Sequence, residues 1–246
     1  MQHIRRAKAK HNSREIDDLD SFLSVHLAGG GDLVEVPANR IAFGCESITP
    51  DMLPLIDLTQ AEIDAIVLGV PGGASNIQDI YPLAPLQEGK LLHHLRAKEG
   101  DPCLIWSQTS FADRAKLNAY VAAVNATIAR HDILRTAVVW DGLPEPVQVV
   151  WRHAPVSVEE IALNPADGDI AEQLKRRFSP RHYRLDVRQA PLLHLFVTHD
   201  PSRDRWVMME LFHHLSADNV ATEGMQAEIA AHLAGRAATL PSPVPF

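Results

Sequence analysis

The chain has 246 residues, a hydrophobic fraction of 46%, a charged fraction of 22% and a formal net charge of −8. These values suit one large globular domain, or a domain with an appended segment, and the negative balance argues against nucleic-acid binding. Two cysteines, Cys45 and Cys103, with no CxxC, argue against a disulfide framework or a cysteine zinc site and make a reducing cytosol the expected compartment.

Residues 1–14, "MQHIRRAKAKHNSR", are basic with no apolar core after them, which reads as a tail and not as a secretory signal. No later run approaches the roughly 18 apolar residues of a membrane span. A short helix is predicted over 15–28, broken by the glycines at 29–31. Residues 1–76 as a whole read as mostly linker; 32–76 are rich in Pro and Gly, with one helix at 59–69. Its face carries Ile63, Ile66 and Val67, and Gly69 and Pro71 end it.

From residue 77 the pattern becomes denser. A helix over 86–98 starts just after the prolines at 82 and 85, with Leu91, Leu92 and Leu95 as its apolar positions. "CLIWSQTSF" (103–111) reads as a strand, and 113–131 as an amphipathic helix with Leu117, Tyr120, Val121, Val124 and Ile128 on one stripe. "LRTAVVWDG" and "EPVQVVWR" read as two strands joined by an Asp-Gly-Leu-Pro turn. A helix at about 168–178, strands "PLLHLFVTH" and "RWVMMELFHH", and a last helix at about 219–234 complete the chain. That last helix carries Ala221, Met225, Ile229 and Leu233 on one face. Helices and strands alternate, so the class is α/β or α+β with a mixed sheet flanked by helices.

The stretch "FHHLSADN" (212–219) closes the last strand with two histidines. Side chains alternate along a strand. Trp206, Met208, Glu210, Phe212 and His214 therefore share one face, and Val207, Met209, Leu211 and His213 the other. Histidines on opposite faces cannot share one metal, and no HExxH accompanies them, so no metal site is expected. The plain reading is a core strand ending in two buried, hydrogen-bonded histidines. The position favours more: a strand end, a loop and a helix start are where catalytic groups are commonly presented. Asp218 stands at that helix start, where it can cap free N–H groups and suit the positive dipole end.

"HHLSADN" resembles the HHxxxDG motif of the condensation domains of nonribosomal peptide synthetases, which share a superfamily with chloramphenicol acetyltransferase-like acyltransferases. His213, His214 and Asp218 match, while Asn219 stands where the pattern has Gly. "DIYPLAPLQEG" (79–89) is similar to the family's opening motif and "RHDILRTAV" (130–138) to its RHExLRTxF segment, in the correct order. The resemblance covers about 47–246, with 47–76 similar to a carrier-to-condensation linker, 1–46 a tail and linker, and 15–28 similar to the last helix of a carrier protein. It implies a chloramphenicol acetyltransferase-like lobe over 77–246, the N-terminal half of a condensation domain. The chain ends at "PSPVPF", so the second lobe, with its latch and floor loop, is expected outside it.

The implied activity is amide formation between thioesters held on donor and acceptor peptidyl carrier proteins. Their phosphopantetheine arms are delivered by those partners, and no cofactor is bound directly. His214 is then the base or the residue that positions the amine, and His213 packs or hydrogen-bonds on the opposite face. Asp218 is expected to be structural, paired with an arginine: Arg135, read as buried within its strand, is preferred over Arg130 at a helix end. Asn219 keeps a left-handed backbone accessible in place of Gly. Tyr81 and Gln87 of the opening motif are expected to fix the first helix, and His93 and His94 to line a rim or groove. The wording "YPLAPLQEG" resembles the subtype whose donor ends in a D-residue. Two other readings stand beside this one: an inactive lobe or carrier-docking module, and a stand-alone acyltransferase that completes its site by oligomerising. Ser75 in "GGASN" resembles a pantetheine serine but lacks the long helix after it, and GxGxxG and the P-loop are both missing.

Overall fold

A computed structural model describes residues 39–243, so the predicted helix at 15–28 and the basic tail lie outside the described residues. The helices are α1 (Gln60–Gly69), α2 (Pro85–Arg96), α3 (Arg114–Arg130), α4 (Ile170–Arg177) and α5 (Asn219–Leu233). The strands are β1 (Ile77–Pro82), β2 (Leu104–Phe111), β3 (Thr136–Val139), β4 (Val147–Trp151), β5 (Ser157–Glu160), β6 (Leu193–Asp200) and β7 (Arg205–His213). They form two sheets: an antiparallel one in the order β1-β4-β3, and a mixed one in the order β2-β7-β6-β5 in which only β5 and β6 run parallel. Among the described residues, no helix is long and apolar enough to cross a membrane.

The three-stranded sheet is covered by the segment expected to be linker. Ile41, Ile48, Leu53, Ile56 and Leu58, with Ile63 and Ile66 of α1, share one core with Ile77, Ile80, Val147, Val149 and Trp151. α1 starts where a capping box forms: the Thr59 side chain accepts from the Glu62 amide, and Glu62 accepts from the Thr59 amide. Prolines and glycines keep 39–59 irregular, yet an apolar residue every few positions still reaches the sheet.

In the four-stranded sheet β7 lies between β2 and β6, and both of its faces are buried. Met208 and Phe212 pack with Leu117, Val124 and Ile128 of α3 and Met225 and Ile229 of α5. Val207, Met209 and Leu211 pack on the opposite side with Leu174 of α4, Phe178 and Phe196. The predicted alternation of β7 is therefore present.

α2 departs from its predicted face. Leu91 is buried, but Leu92 and Leu95 are each 46% exposed, and the other buried residues are Gln87 and His94. The helix docks through polar groups, because what it docks on is a turn with carbonyl groups to satisfy.

Candidate active site

That turn follows β7. His214 lies just past the strand end and is half-buried. Its amide donates to the Cys103 carbonyl (2.9 Å), and its own carbonyl accepts from Lys90 Nζ (2.7 Å). Its ring Nδ1 is 3.2 Å from the Ala217 carbonyl oxygen. A carbonyl only accepts, so the neutral ring carries its proton on Nδ1, leaving Nε2 as the acceptor.

His213 has the opposite tautomer. Its Nδ1 accepts from the Leu215 amide (3.1 Å), which puts the proton on Nε2. That nitrogen is 3.3 Å from Asp101 Oδ2, off the line of a full hydrogen bond but close enough for a strong electrostatic contact. His94 Nδ1 approaches the same oxygen at 2.7 Å, and Asp101 Oδ1 accepts from the Cys103 amide at 3.0 Å. The His94 and His213 rings meet edge-on, 5.2 Å between centroids. All three side chains are buried. Burial pushes the Asp101 carboxyl up, but the contacts from His213 and His94 outweigh it and hold the group well below the usual carboxylate range. Burial pulls His213 down, Asp101 only partly opposing, and an Nδ1 that accepts from the Leu215 amide belongs to a neutral ring.

The expectation of a rim position for His94 is thus corrected. Adjacent helix positions diverge, and while His93 is exposed, His94 turns inward to the carboxylate. Gln87 caps α2 as expected, its Oε1 accepting from the Ala84 amide (3.0 Å). It also donates to Gln148 Oε1 (2.8 Å) and the Leu215 carbonyl (3.2 Å). Tyr81 lies half-buried in β1, its phenol pKa raised chiefly by burial. Ser75 sits in a short 3₁₀ turn, its hydroxyl donating to the Gly72 carbonyl (2.8 Å).

The arginine pairing is also corrected. Asp218 is the exposed N-cap of α5, its carboxylate accepting from the Ala221 amide at 2.8 Å. Arg135 is buried as expected, but it ends a 3₁₀ turn (Asp132–Arg135) and does not lie within β3. Its guanidinium pairs with Asp132 (2.5 Å), three residues earlier, and also donates to Gln78 Oε1 (3.1 Å) and the Trp151 carbonyl. Arg130 pairs with Glu228 (2.9 Å). Among the described residues, no cation lies within ion-pair distance of Asp218. Asn219 is the first residue of α5, so this position is right-handed helix and needs no left-handed angle.

A cavity of about 440 Å³ opens on the face of β7 that carries Glu210 and Phe212, lined also by Trp106, Tyr120, Met225 and Gln226 among others. Glu210 is 4% exposed and accepts from Ser107 Oγ (3.1 Å). Burial raises its pKa, with Ser107 and Tyr120 only partly opposing.

Sequence reasoning missed Asp101 and its partner His94. The available signal was the spacing of Gln87 and His94, seven residues apart on one face of α2, with a lone aspartate in the loop that follows.

The helix-flanked mixed sheet is a chloramphenicol acetyltransferase-like fold, and within it two histidines at a strand end precede an aspartate-capped helix. A family model for the condensation domain matches residues 77–241, and the chain belongs to that family. It is 50% identical over 228 residues to malpibaldin synthetase of Mortierella alpina, covering 93% of this chain and 4% of that protein. It is likewise 50% identical over 221 residues to malpinin synthetase of the same organism, covering 90% of this chain and 3% of that protein. The chain thus spans a small part of the length of these relatives. The solved condensation domain of the monacolin K polyketide synthase MokA shares the fold, with a TM-score of 0.52 at 20% identity, covering 69% of this chain and 37% of that one.

Proposed function

We propose that this lobe supplies the histidine side of a site that forms amide bonds between carrier-bound thioesters. The amine of an aminoacyl thioester attacks the carbonyl carbon of a donor acyl or peptidyl thioester. A tetrahedral intermediate forms, the C–S bond breaks, and the products are an amide and the donor carrier's free pantetheine thiol. The attacking amine must be neutral and must lose a proton as the C–N bond forms. His214 is the group for that step, accepting the proton at Nε2 or holding the amine in line. The observation that carries this reading is the contact of His214 Nδ1 with the Ala217 carbonyl, which places the proton of the neutral tautomer on Nδ1 and leaves Nε2 as the acceptor. Asp218 serves by capping α5 and so shaping the loop beside His214. The partners are donor and acceptor peptidyl carrier proteins bearing phosphopantetheine, with a second lobe closing the site.

The test is single-turnover amide formation by this chain combined with a second condensation lobe, using loaded carrier proteins as substrates. His214→Ala is expected to abolish product while leaving the melting temperature close to that of the wild type. Product formed by His214→Ala at the wild-type rate sinks the reading.

A further inference from the structure

We propose that Asp101 is a positioning residue of this site: with His94, it selects the His213 tautomer that anchors the turn carrying His214. The consequence for activity rests on the reading of His214 above; the tautomer selection itself does not.

One face of α2 and the loop after it grip three consecutive residues of the turn. Gln87 donates to the Leu215 carbonyl, Lys90 to the His214 carbonyl, and His94 fixes Asp101 against His213. Asp101 reaches His214 by two routes. One runs through the Cys103 peptide, whose N–H binds Asp101 Oδ1 and whose carbonyl binds the His214 amide. The other runs through the His213 ring, whose Nδ1 holds the Leu215 amide. The second route works in only one tautomer. Moving the His213 proton to Nδ1 would set a donor against the Leu215 N–H and leave a bare Nε2 facing a carboxylate, so both contacts would be lost together. Asp101 is buried, and its carboxylate contacts the Cys103 amide and the rings of His94 and His213, so its action on His214 is on geometry. A displacement of about 1 Å in a reacting group costs on the order of 100-fold in rate.

The ligand atoms of His94, Asp101 and His213 lie within 4.8 Å of one another, a spacing a metal could also use. The hydrogen-bond length between His94 and Asp101, and the use of Oδ1 by Cys103, favour the positioning network.

The experiment is long-range ¹H–¹⁵N spectroscopy of the histidine rings in the full 246-residue chain, near pH 7.5. In the wild type, His213 is expected as the Nε2–H tautomer and His214 as Nδ1–H. Asp101→Asn, which places an N–H₂ group where the carboxylate stood, is expected to abolish the His213 preference and shift the Leu215 amide. His94→Asn, which keeps a donor near the Nδ1 position, is expected to retain both signatures; His94→Leu is expected to weaken them. In the amide-formation assay, Asp101→Asn is expected to lower kcat on the order of 100-fold with little change in KM. A wild-type His213 found as Nδ1–H overturns the proposal without recourse to any variant. So does an unchanged His213 tautomer in Asp101→Asn. Joint displacement of the His94 and His213 nitrogens by stoichiometric zinc also overturns it and makes the cluster a metal site. Full activity in His214→Ala strikes only the functional reading, since the ring spectra do not depend on it.

Discussion

Replacing Asp132 and Asp218 in turn separates the pairing observed here from the pairing the motifs suggest. The Arg135 side chain is 7% exposed and that of Asp132 20%. Removing one partner of a buried ion pair costs about 3–5 kcal/mol, because a buried charge is left uncompensated. Arg135 keeps two acceptors, Gln78 Oε1 and the Trp151 carbonyl, and water can enter where the partly exposed Asp132 stood. The cost of Asp132→Ala is therefore set at about 2–3 kcal/mol. Asp218→Ala removes an exposed cap and should cost about 1 kcal/mol. In urea unfolding, with a slope of about 2–3 kcal/mol/M, the first change lowers the midpoint by about 1 M and the second by less than half of that. A double-mutant cycle with Arg135→Met sharpens the test. Asp132 and Arg135 should couple by about 1–3 kcal/mol, and Asp218 and Arg135 by no more than about 0.5 kcal/mol. Equal costs for the two aspartates, with Asp218 coupled to Arg135, would refute the assignment and restore the pairing read from the motifs.

A chain begun at Ile77 uncovers Ile77, Ile80, Val147, Val149 and Trp151 and should aggregate in light scattering, whereas a chain begun at Asn39 should be monodisperse. Burial raises Glu210 above its unfolded value of about 4.3. The native state then holds the extra proton, so stability falls as pH rises through that window. Thermal melts should show Glu210→Gln gaining on the wild type between pH 4 and pH 8; a loss over that range contradicts the argument. Asp101 has the opposite sign: its folded pKa is depressed below the unfolded value of about 3.9. Its contribution is complete above that value and disappears as pH falls beneath it. Asp101→Asn, less stable at pH 7, should lose less than the wild type on going from pH 5 to pH 2.5 in urea titrations.

Elements with strong periodicity were readable from the sequence because their burial is periodic. α3 buries Leu117, Tyr120, Val124 and Ile128 at helical spacing, and β7 alternates between two buried faces. β5 was invisible because all four of its residues are exposed and nothing in it alternates. β1 was hidden by its register shift between Ile77 and Asp79 and by Pro82 at its end, both of which break the strand pattern. The packing of 39–76 on the sheet was hidden for a different reason. The segment's prolines and glycines report local backbone irregularity, whereas its isoleucines and leucines report burial, and only the second property decides whether a segment packs on a sheet.

The site divides along the same line. His213, His214 and Asp218 stood in one short motif, and the two rings have separate partners, Asp101 for His213 and the Ala217 carbonyl for His214. The arginine partner failed because burial was treated as a demand for a distant carboxylate. Asp132 lies one 3₁₀ turn away in the same segment, and a partner already held near by the chain costs little further ordering. Asp101 was missed because hydrophobic periodicity assumes that helices dock through apolar groups. α2 docks through Gln87, Lys90 and His94, at positions i, i+3 and i+7, while Leu92 and Leu95 remain half exposed. Its target is a turn whose carbonyls at His214 and Leu215 have no strand partner and need donors. A polar stripe at helical spacing, in a chain that also contains a buried motif turn, therefore carries the same kind of information as an apolar stripe. It marks the helix face that holds the turn, and with it the residues whose loss would disturb His214 without ever touching it.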